Sequence, residues 1–297
     1  MGLKVLVTGG SGFLGSHIAD ELTRAGHAVT ILDATPSPWL GPDQRMIVAD
    51  ILDENAVRRA VSGCQAVYHI AGVADIGKAA KNPLETVRVN VLGTTTLLEA
   101  CVEAKVQRLL FASTIYVYSQ QGSFYRASKQ ASESLIEAYQ ERFGLDYTIL
   151  RYGSLYGPRA QDWNGLRRYV SQAIFDHRIE YHGSGEELRE YIHVLDAARL
   201  SVQALEAEHR NSCLILTGSQ VLHSRELLHM IEEIVGKKVE VVFLPETRDR
   251  DHYVTTPYRY NPKPARKMVP GVFVPIGQGI LDLAEELDRS RQSSGSP

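Results

Sequence analysis

Residues 3–15 read Leu3-Lys4-Val5-Leu6-Val7-Thr8-Gly9-Gly10-Ser11-Gly12-Phe13-Leu14-Gly15. A short apolar run ends in glycines, and a helical pattern then continues through Arg24 to a stop at Gly26. Gly9, Gly12 and Gly15 have the spacing G-x-x-G-x-x-G. A strand that passes through such a loop into a helix must turn tightly and pack closely, and glycine allows both because it has no Cβ. The same loop lets an anionic group approach the backbone, where the helix N-terminus offers free N–H groups and a partial positive charge. Gly9, Gly12, Phe13, Leu14 and Gly15 are therefore expected to cradle a pyrophosphate. A merely tight β-α turn would also satisfy the glycines alone.

Asp33 makes the reading more specific. It follows the apolar run 28–32 and lies 18 residues beyond Gly15. A carboxylate at that strand end can bind both hydroxyls of an adenosine ribose. It would repel a 2′-phosphate, and no arginine adjoins it. The expected cofactor is accordingly NAD rather than NADP. Asp50 and Ile51, after a third strand at 46–48, are expected at the adenine end.

The rhythm of the first half extends this unit. Apolar runs at 3–7, 28–32, 46–48, 66–70, 108–112 and 147–150 alternate with helical patterns near 54–62, 83–104 and 125–143. Asn82-Pro83 supplies a helix start, with Asn as the cap and Pro at the first helical position. Repeated β-α-β units predict an α/β fold: a Rossmann-type doubly wound parallel sheet covered by helices on both faces. Beyond residue 155 the repeats loosen, with helices expected at 163–175, 193–205, 224–234 and 278–287 and strands at 213–216 and 239–243. The expected organisation is an NAD-binding domain over 1–155 that also receives 190–210, and a smaller C-terminal α/β substrate-binding lobe over 156–288. The proline-rich segment 256–264 reads as a surface loop, and 289–297 as a disordered tail.

Tyr125-Arg126-Ala127-Ser128-Lys129 places a phenol and an ammonium four residues apart, on one face of a helix. Such pairs are usually solvated. This one follows Phe111-Ala112-Ser113-Thr114, a strand end carrying hydroxyls, by one β-α step. A phenol near pKa 10 is a poor base at neutral pH, and a neighbouring ammonium is expected to lower that value.

The net charge of −3 gives no basic surplus, so neither nucleic acid nor an anionic membrane is an expected partner. No run of about 18 apolar residues suggests a membrane span, and the N-terminal apolar stretch is too short for a signal peptide. Cys64, Cys101 and Cys213 are scattered and show no metal-ligand spacing, so no metal is expected. They read as buried, reduced thiols of a cytoplasmic protein.

The landmarks Thr8–Gly15, Asp33, Asp50-Ile51, His69-Ile70-Ala71-Gly72, Asn90-Val91-Leu92-Gly93-Thr94 and Ser113-Thr114-Ile115-Tyr116-Val117-Tyr118 occur in order. Tyr125–Lys129, Leu150-Arg151-Tyr152, Leu155-Tyr156-Gly157-Pro158 and Arg189-Glu190-Tyr191-Ile192-His193-Val194 follow them. Together they resemble the extended short-chain dehydrogenase/reductase family, in its nucleotide-sugar epimerase/dehydratase branch, over most of the chain. The resemblance implies that Tyr125 is the catalytic acid/base, Lys129 its electrostatic partner and Thr114 a substrate-binding hydroxyl. It implies that Ala71, Asn90 and Lys129 join the glycine loop, Asp33, Asp50 and Ile51 in the NAD site. Arg189 matches an arginine that contacts the substrate diphosphate, with Arg168 and Arg259 as weaker candidates, while His193 reads as structural. Tyr116 and Ser154 are further substrate-side candidates. The family commonly pairs as homodimers through the helices near 83–104 and 125–143.

Three departures shape the functional expectation. The connection from Ser113 to Tyr125 is shorter than is usual in the family. Ile115-Tyr116 stand where the sugar 4,6-dehydratases carry Asp-Glu, and decarboxylating relatives also use a glutamate at the second place. Gly153-Ser154 replace the frequent Phe-Asn. Elimination needs a carboxylate for the C5 proton and an acid for the leaving hydroxyl, so dehydration by that route is disfavoured. The expected activity is epimerisation of a nucleoside-diphosphate sugar, at C4, through a transient 4-keto sugar. The alternatives are a C4 dehydrogenase or reductase, an atypical dehydratase, and a non-catalytic NAD-binding regulator.

Overall fold

The computed structural model describes residues 2–236, 238–245, 256 and 266–294 of the 297-residue chain. Its strands are β1 (Lys4–Thr8), β2 (Ala28–Asp33), β3 (Gln44–Val48), β4 (Ala66–His69), β5 (Arg108–Thr114), β6 (Tyr147–Tyr152), β7 (Ser154–Tyr156), β8 (Arg178–His182), β9 (Leu188–His193), β10 (Ser212–Leu216), β11 (Val221–His223), β12 (Glu240–Leu244) and β13 (Arg266–Met268). The α-helices are α1 (Phe13–Arg24), α2 (Glu54–Val61), α3 (Ile76–Lys81), α4 (Pro83–Val87), α5 (Gly93–Glu103), α6 (Ser123–Phe143), α7 (Gly165–Phe175), α8 (Val194–Gln203), α9 (Ser224–Val235) and α10 (Ile276–Ser294).

The central sheet has eight strands in the order β13-β10-β6-β5-β4-β1-β2-β3, and every pairing in it is parallel. The order reverses between β1 and β4, which opens a crevice at the strands' carboxyl ends. Alternation along β1 explains why both faces must be covered. Val5 and Val7 pack against Ile18 and Leu22 of α1 and Ala197 and Leu200 of α8. Leu6 points the other way, into Val57, Val61, Leu97, Leu98 and Ile136 of α2, α5 and α6. Each such fully buried aliphatic side chain contributes about 1.5–3 kcal/mol relative to exposure.

A second core lies over the sheet's C-terminal side. Leu166 and Val170 of α7, Ile179 of β8, Leu227 and Ile231 of α9, and Ile280, Leu283 and Leu287 of α10 form it. Arg159 ties this region to the first. Its Nη1 donates to Asp20 of α1 at 2.9 Å, its backbone N–H to Glu286 of α10 at 3.1 Å, and its guanidinium lies 4.8 Å from the Trp39 ring centroid.

Several expectations need correction. The return to the sheet exceeds 190–210: β10 pairs with β6, and β13 pairs with β10 beyond it. The helix expected over 83–104 is interrupted by a π-turn at Arg88–Leu92. Asn82 stands at the cap position but does not cap; its side-chain amide donates to the Lys78 carbonyl instead. The helix expected from 163 starts at Gly165, because the Asn164 side chain accepts from the Arg167 N–H and stops further winding. Residues 289–294 are not a disordered tail but the last turns of α10. Thr256 is buried rather than on a surface loop; the rest of that proline-rich segment lies outside the described residues. Cys101 is fully buried, whereas Cys64 and Cys213 are only half-buried, and none of the three forms a disulfide. No helix among the described residues is long and apolar enough to cross a membrane.

Candidate active site

A cleft of about 650 Å³ runs along the carboxyl ends of β1, β2, β4, β5 and β6. Its first wall is the glycine loop. Gly9 has a φ of +73°, and a Cβ there would lie 2.5 Å from the Ala71 nitrogen; one on Gly15 would lie 2.2 Å from the Gly9 oxygen. A Cβ on Gly12 would approach nothing closer than the Gly9 oxygen at 3.3 Å, so its open side is the cleft. Helix α1 begins with no side-chain cap at Gly12, leaving its first-turn N–H groups for an anion. Phe13 and Leu14 line the cleft beside it.

Asp33 faces the same space from the end of β2. The Ser11 N–H donates to one carboxylate oxygen at 3.0 Å, and the Thr35 N–H and hydroxyl donate to the other. Asp50 lines the far end, and Ile51 packs beneath Gly93. Open backbone at Gly12, the Asp33 carboxylate at the end of β2 and one continuous cleft fit an NAD molecule.

Ala71 is held by a chain of buried polar groups. Its N–H donates to the Thr8 hydroxyl, which contacts His69 Nδ1 at 2.8 Å; His69 Nε2 meets the Thr94 hydroxyl at 2.9 Å, and that hydroxyl donates to the Asn90 carbonyl. Thr94 has spent its one proton on Asn90, so it accepts from His69. The imidazole is then neutral with its hydrogen on Nε2, and burial with the nearby Lys129 cation pushes its pKa down to about 3. Asn90 itself does not reach the cleft wall. The π-turn aims its amide at Val73, accepting from the N–H at 2.7 Å and donating to the carbonyl at 3.1 Å, so it braces the cleft-lining loop from behind.

The Tyr–Lys pair sits at the cleft's centre. Gly122, with a φ of +95°, starts α6 and places Tyr125 in its first turn. Tyr125 and Thr114, the latter at the end of β5, both line the cleft, and the Thr114 hydroxyl is the neighbour that favours the phenolate. One turn on, Lys129 is buried, donates from Nζ to the Ala112 carbonyl at 2.7 Å and lies 4.7 Å from the Phe111 ring centroid. The expectation that the ammonium lowers the phenol's pKa does not describe the chain alone. Burial pushes Tyr125 up to about 12, only partly offset by the Thr114 hydrogen bond. Burial likewise pushes Lys129 down to about 8, opposed by the Glu133 carboxylate. Lys129 is buried and Tyr125 half-buried, and for each the loss of water around the charged form is the largest influence.

On the substrate side, Tyr116 lines the cleft, with its ring edge-on to Tyr125 at 6.2 Å between centroids. Ile115 does not face the cleft; it is buried with Val117 and Tyr118 against Ile215. Ser154 and Arg189 lie on neighbouring strands, β7 and β9, and neither side chain lines the cleft. Arg168 stacks on Tyr169 on an exposed helix face, and Arg259 lies outside the described residues. His193 is buried as the cap of α8. Sequence reasoning missed Gln161, Trp163 and Asn164, which form the lobe's side of the cleft, and Lys78 and Glu85, which line its other flank. Only Asn164 had a usable signal, as a cap residue before a helix.

The profile of the NAD dependent epimerase/dehydratase family matches residues 5–214. The chain belongs to that family. UDP-N-acetyl-alpha-D-glucosaminuronate decarboxylase of Bacillus cytotoxicus is 29% identical over 270 residues, covering 82% of this chain and 83% of that protein. UDP-glucose 4-epimerase of Corynebacterium glutamicum is 30% identical over 275 residues, covering 82% and 84%. Among solved structures, the UDP-glucose 4-epimerase of Thermus thermophilus in complex with NAD superposes with a TM-score of 0.80 at 26% identity, covering 96% of this chain and 99% of that one. NAD is the cofactor of this NAD-dependent family, and the glycine loop and Asp33 supply the features it requires. The similar proteins act in more than one way on UDP-sugars, so membership in the family leaves the individual reaction to the site.

Proposed function

We propose that this epimerase/dehydratase family member interconverts a nucleoside-diphosphate sugar, a UDP-sugar in the first instance, with its C4 epimer. The observation that carries this reading is that Tyr125, Thr114 and Lys129, the last one helical turn behind Tyr125, line the same cleft as the glycine loop. Bound NAD supplies the hydride acceptor and donor for the sugar carbon. Tyr125 Oη takes the C4 hydroxyl proton and later returns it, and Thr114 hydrogen-bonds the same sugar oxygen. Lys129 stabilises the phenolate, whose pKa the chain alone leaves too high for neutral pH.

Tyr116 argues against the decarboxylating and dehydrating reactions. A phenol lines the cleft where those reactions use a glutamate, and Ile115 beside it is turned into the core. The cleft's carboxylates, Asp33, Asp50, Asp75 and Glu85, come from β2, the loop after β3 and the α3–α4 flank, not from the segment between Thr114 and Tyr125. We further propose a cytoplasmic homodimer, paired through α4–α6, where Leu84 is 74% exposed and Val87, Leu92 and Phe143 are exposed as well.

A thermal-shift screen of UDP-, GDP-, CDP- and dTDP-sugars with NAD, followed by proton NMR of the product from each hit, tests the reading. It expects a C4 epimer with no net change at the NADH absorbance band. Stoichiometric NADH would assign a dehydrogenase instead, and release of carbon dioxide a decarboxylase.

A further inference from the structure

Behind the Tyr–Lys pair lies a charge pair that the proposed reaction leaves unused. Tyr125, Lys129 and Glu133 recur at four-residue steps on α6, so all three share the face turned to the sheet. Glu133 is 1% exposed and Arg151, on β6, 2%. Arg151 grips the carboxylate with both arms of its fork: Nε donates to Oε1 at 3.0 Å and Nη2 to Oε2 at 2.7 Å. The Ser113 hydroxyl, next to Thr114, donates to Oε1 at 2.5 Å. Arg151 Nη1 donates to the Tyr118 hydroxyl at 2.5 Å, and the guanidinium lies 4.9 Å from that ring's centroid. The cluster therefore joins α6, the end of β5, β6 and the start of the segment leading to Tyr125.

We propose that Glu133, held by Arg151, is a positioning residue that fixes α6 against the Thr114 strand end and sets a carboxylate one helical turn behind the Lys129 ammonium. A buried ion pair is a weak source of stability, because desolvation offsets most of the attraction. A role in the site accounts for its presence better. The groups around Lys129 single out one carboxylate. Tyr125 and Glu133 flank it on its own helix, β5 offers the Ala112 carbonyl and the Phe111 ring, β4 offers neutral His69, and the loop after β4 brings up Gly72. Glu133 is the charge that opposes burial at Lys129.

This inference rests on the catalytic reading of Tyr125 and Lys129, yet its test needs no turnover. The Lys129 ammonium is titrated by NMR in protein with isotope-labelled lysine side chains, its signal assigned by its loss in Lys129→Met. Wild type should titrate near pH 8, as burial and Glu133 together dictate. Glu133→Gln keeps the shape and removes the charge, and should lower the midpoint by about one unit, a tenfold change in proton affinity. Glu133→Asp should restore most of it. Arg151→Lys keeps both charges but loses the fork, and should leave the midpoint in place while loosening the Tyr125–Thr114 contact, seen as faster exchange of the Tyr125 hydroxyl. If Glu133→Gln does not fold, Glu133→Gln/Arg151→Met leaves no orphaned charge and should still lower the midpoint. An unchanged midpoint in the folded charge-free variant, or an equal drop in Arg151→Lys, overturns the proposal. Neither result bears on the sugar reaction, which the product screen decides separately.

Discussion

The two walls of the cleft are made differently. The dinucleotide wall is backbone and strand ends: the Gly9–Gly15 loop, Asp33 at the end of β2, and the Ala71 peptide pinned through Thr8 and His69. The opposite wall is side chains on loops, with Gln161, Trp163 and Asn164 reaching in from the second core's side. Backbone geometry demands particular residue types at fixed spacing, so the first wall has a local signature. Side chains on a loop can be exchanged without changing the fold, so the second wall can carry a specificity peculiar to this chain. Tyr125 and Lys129 stand where the walls meet.

The largest expected effect sharpens that meeting point. Tyr125→Phe should cost about 10²–10⁴-fold in turnover, as loss of a positioned acid/base does, while a NAD titration of the variant stays at the wild-type value. Next comes the backbone wall. Gly15→Ala puts a Cβ 2.2 Å from the Gly9 oxygen, and a backbone overlap of that size should lower the free energy of urea unfolding by on the order of 3 kcal/mol. Gly12→Ala makes no such overlap and should fold within about 1 kcal/mol of wild type, yet lose NAD affinity because the new methyl occupies the cradle. Equal stability for the two variants would break the distinction between packing glycines and a ligand-facing glycine.

Lys129 gives the pH test. Its pKa is lowered on folding, from an ordinary value near 10.5 to about 8. Between those values the unfolded chain binds more protons, so this group makes stability rise with pH. Urea unfolding of wild type and Lys129→Met should therefore diverge, wild type gaining about 2 kcal/mol on the variant between roughly pH 7.5 and 9.5. Asp33→Asn should weaken NAD binding by about tenfold, near 1.4 kcal/mol, without altering the fold. The smallest effect belongs to the loop wall: Asn164→Ala removes the α7 cap and should cost about 1 kcal/mol, with the sugar-nucleotide KM rising more than the NAD affinity falls.

What the sequence revealed follows the same division. The glycine spacing, Asp33 and the alternation of apolar runs are imposed by local geometry, and the sheet and cradle follow from them. The Tyr125–Lys129 spacing identifies a shared helix face, but not that burial would dominate both pKa values, because desolvation depends on everything packed around α6. The π-turn that turns Asn90 away from the cleft was invisible in a continuous helical pattern. Arg189 fits a motif, yet it is not among the described residues that line the cleft. Trp163 and Gln161 had no signal, since nothing in a single chain distinguishes a rim aromatic from an ordinary loop residue.

The central claim is that the sugar's C4 hydrogen leaves and returns within one active site. A UDP-sugar carrying deuterium at C4, incubated with the NAD-loaded protein and followed by NMR, tests it most directly. The account predicts a C4 epimer that retains the deuterium at C4. An epimer whose C4 label has gone to solvent, or a product altered at C5 or C6 with C4 configuration unchanged, would contradict it.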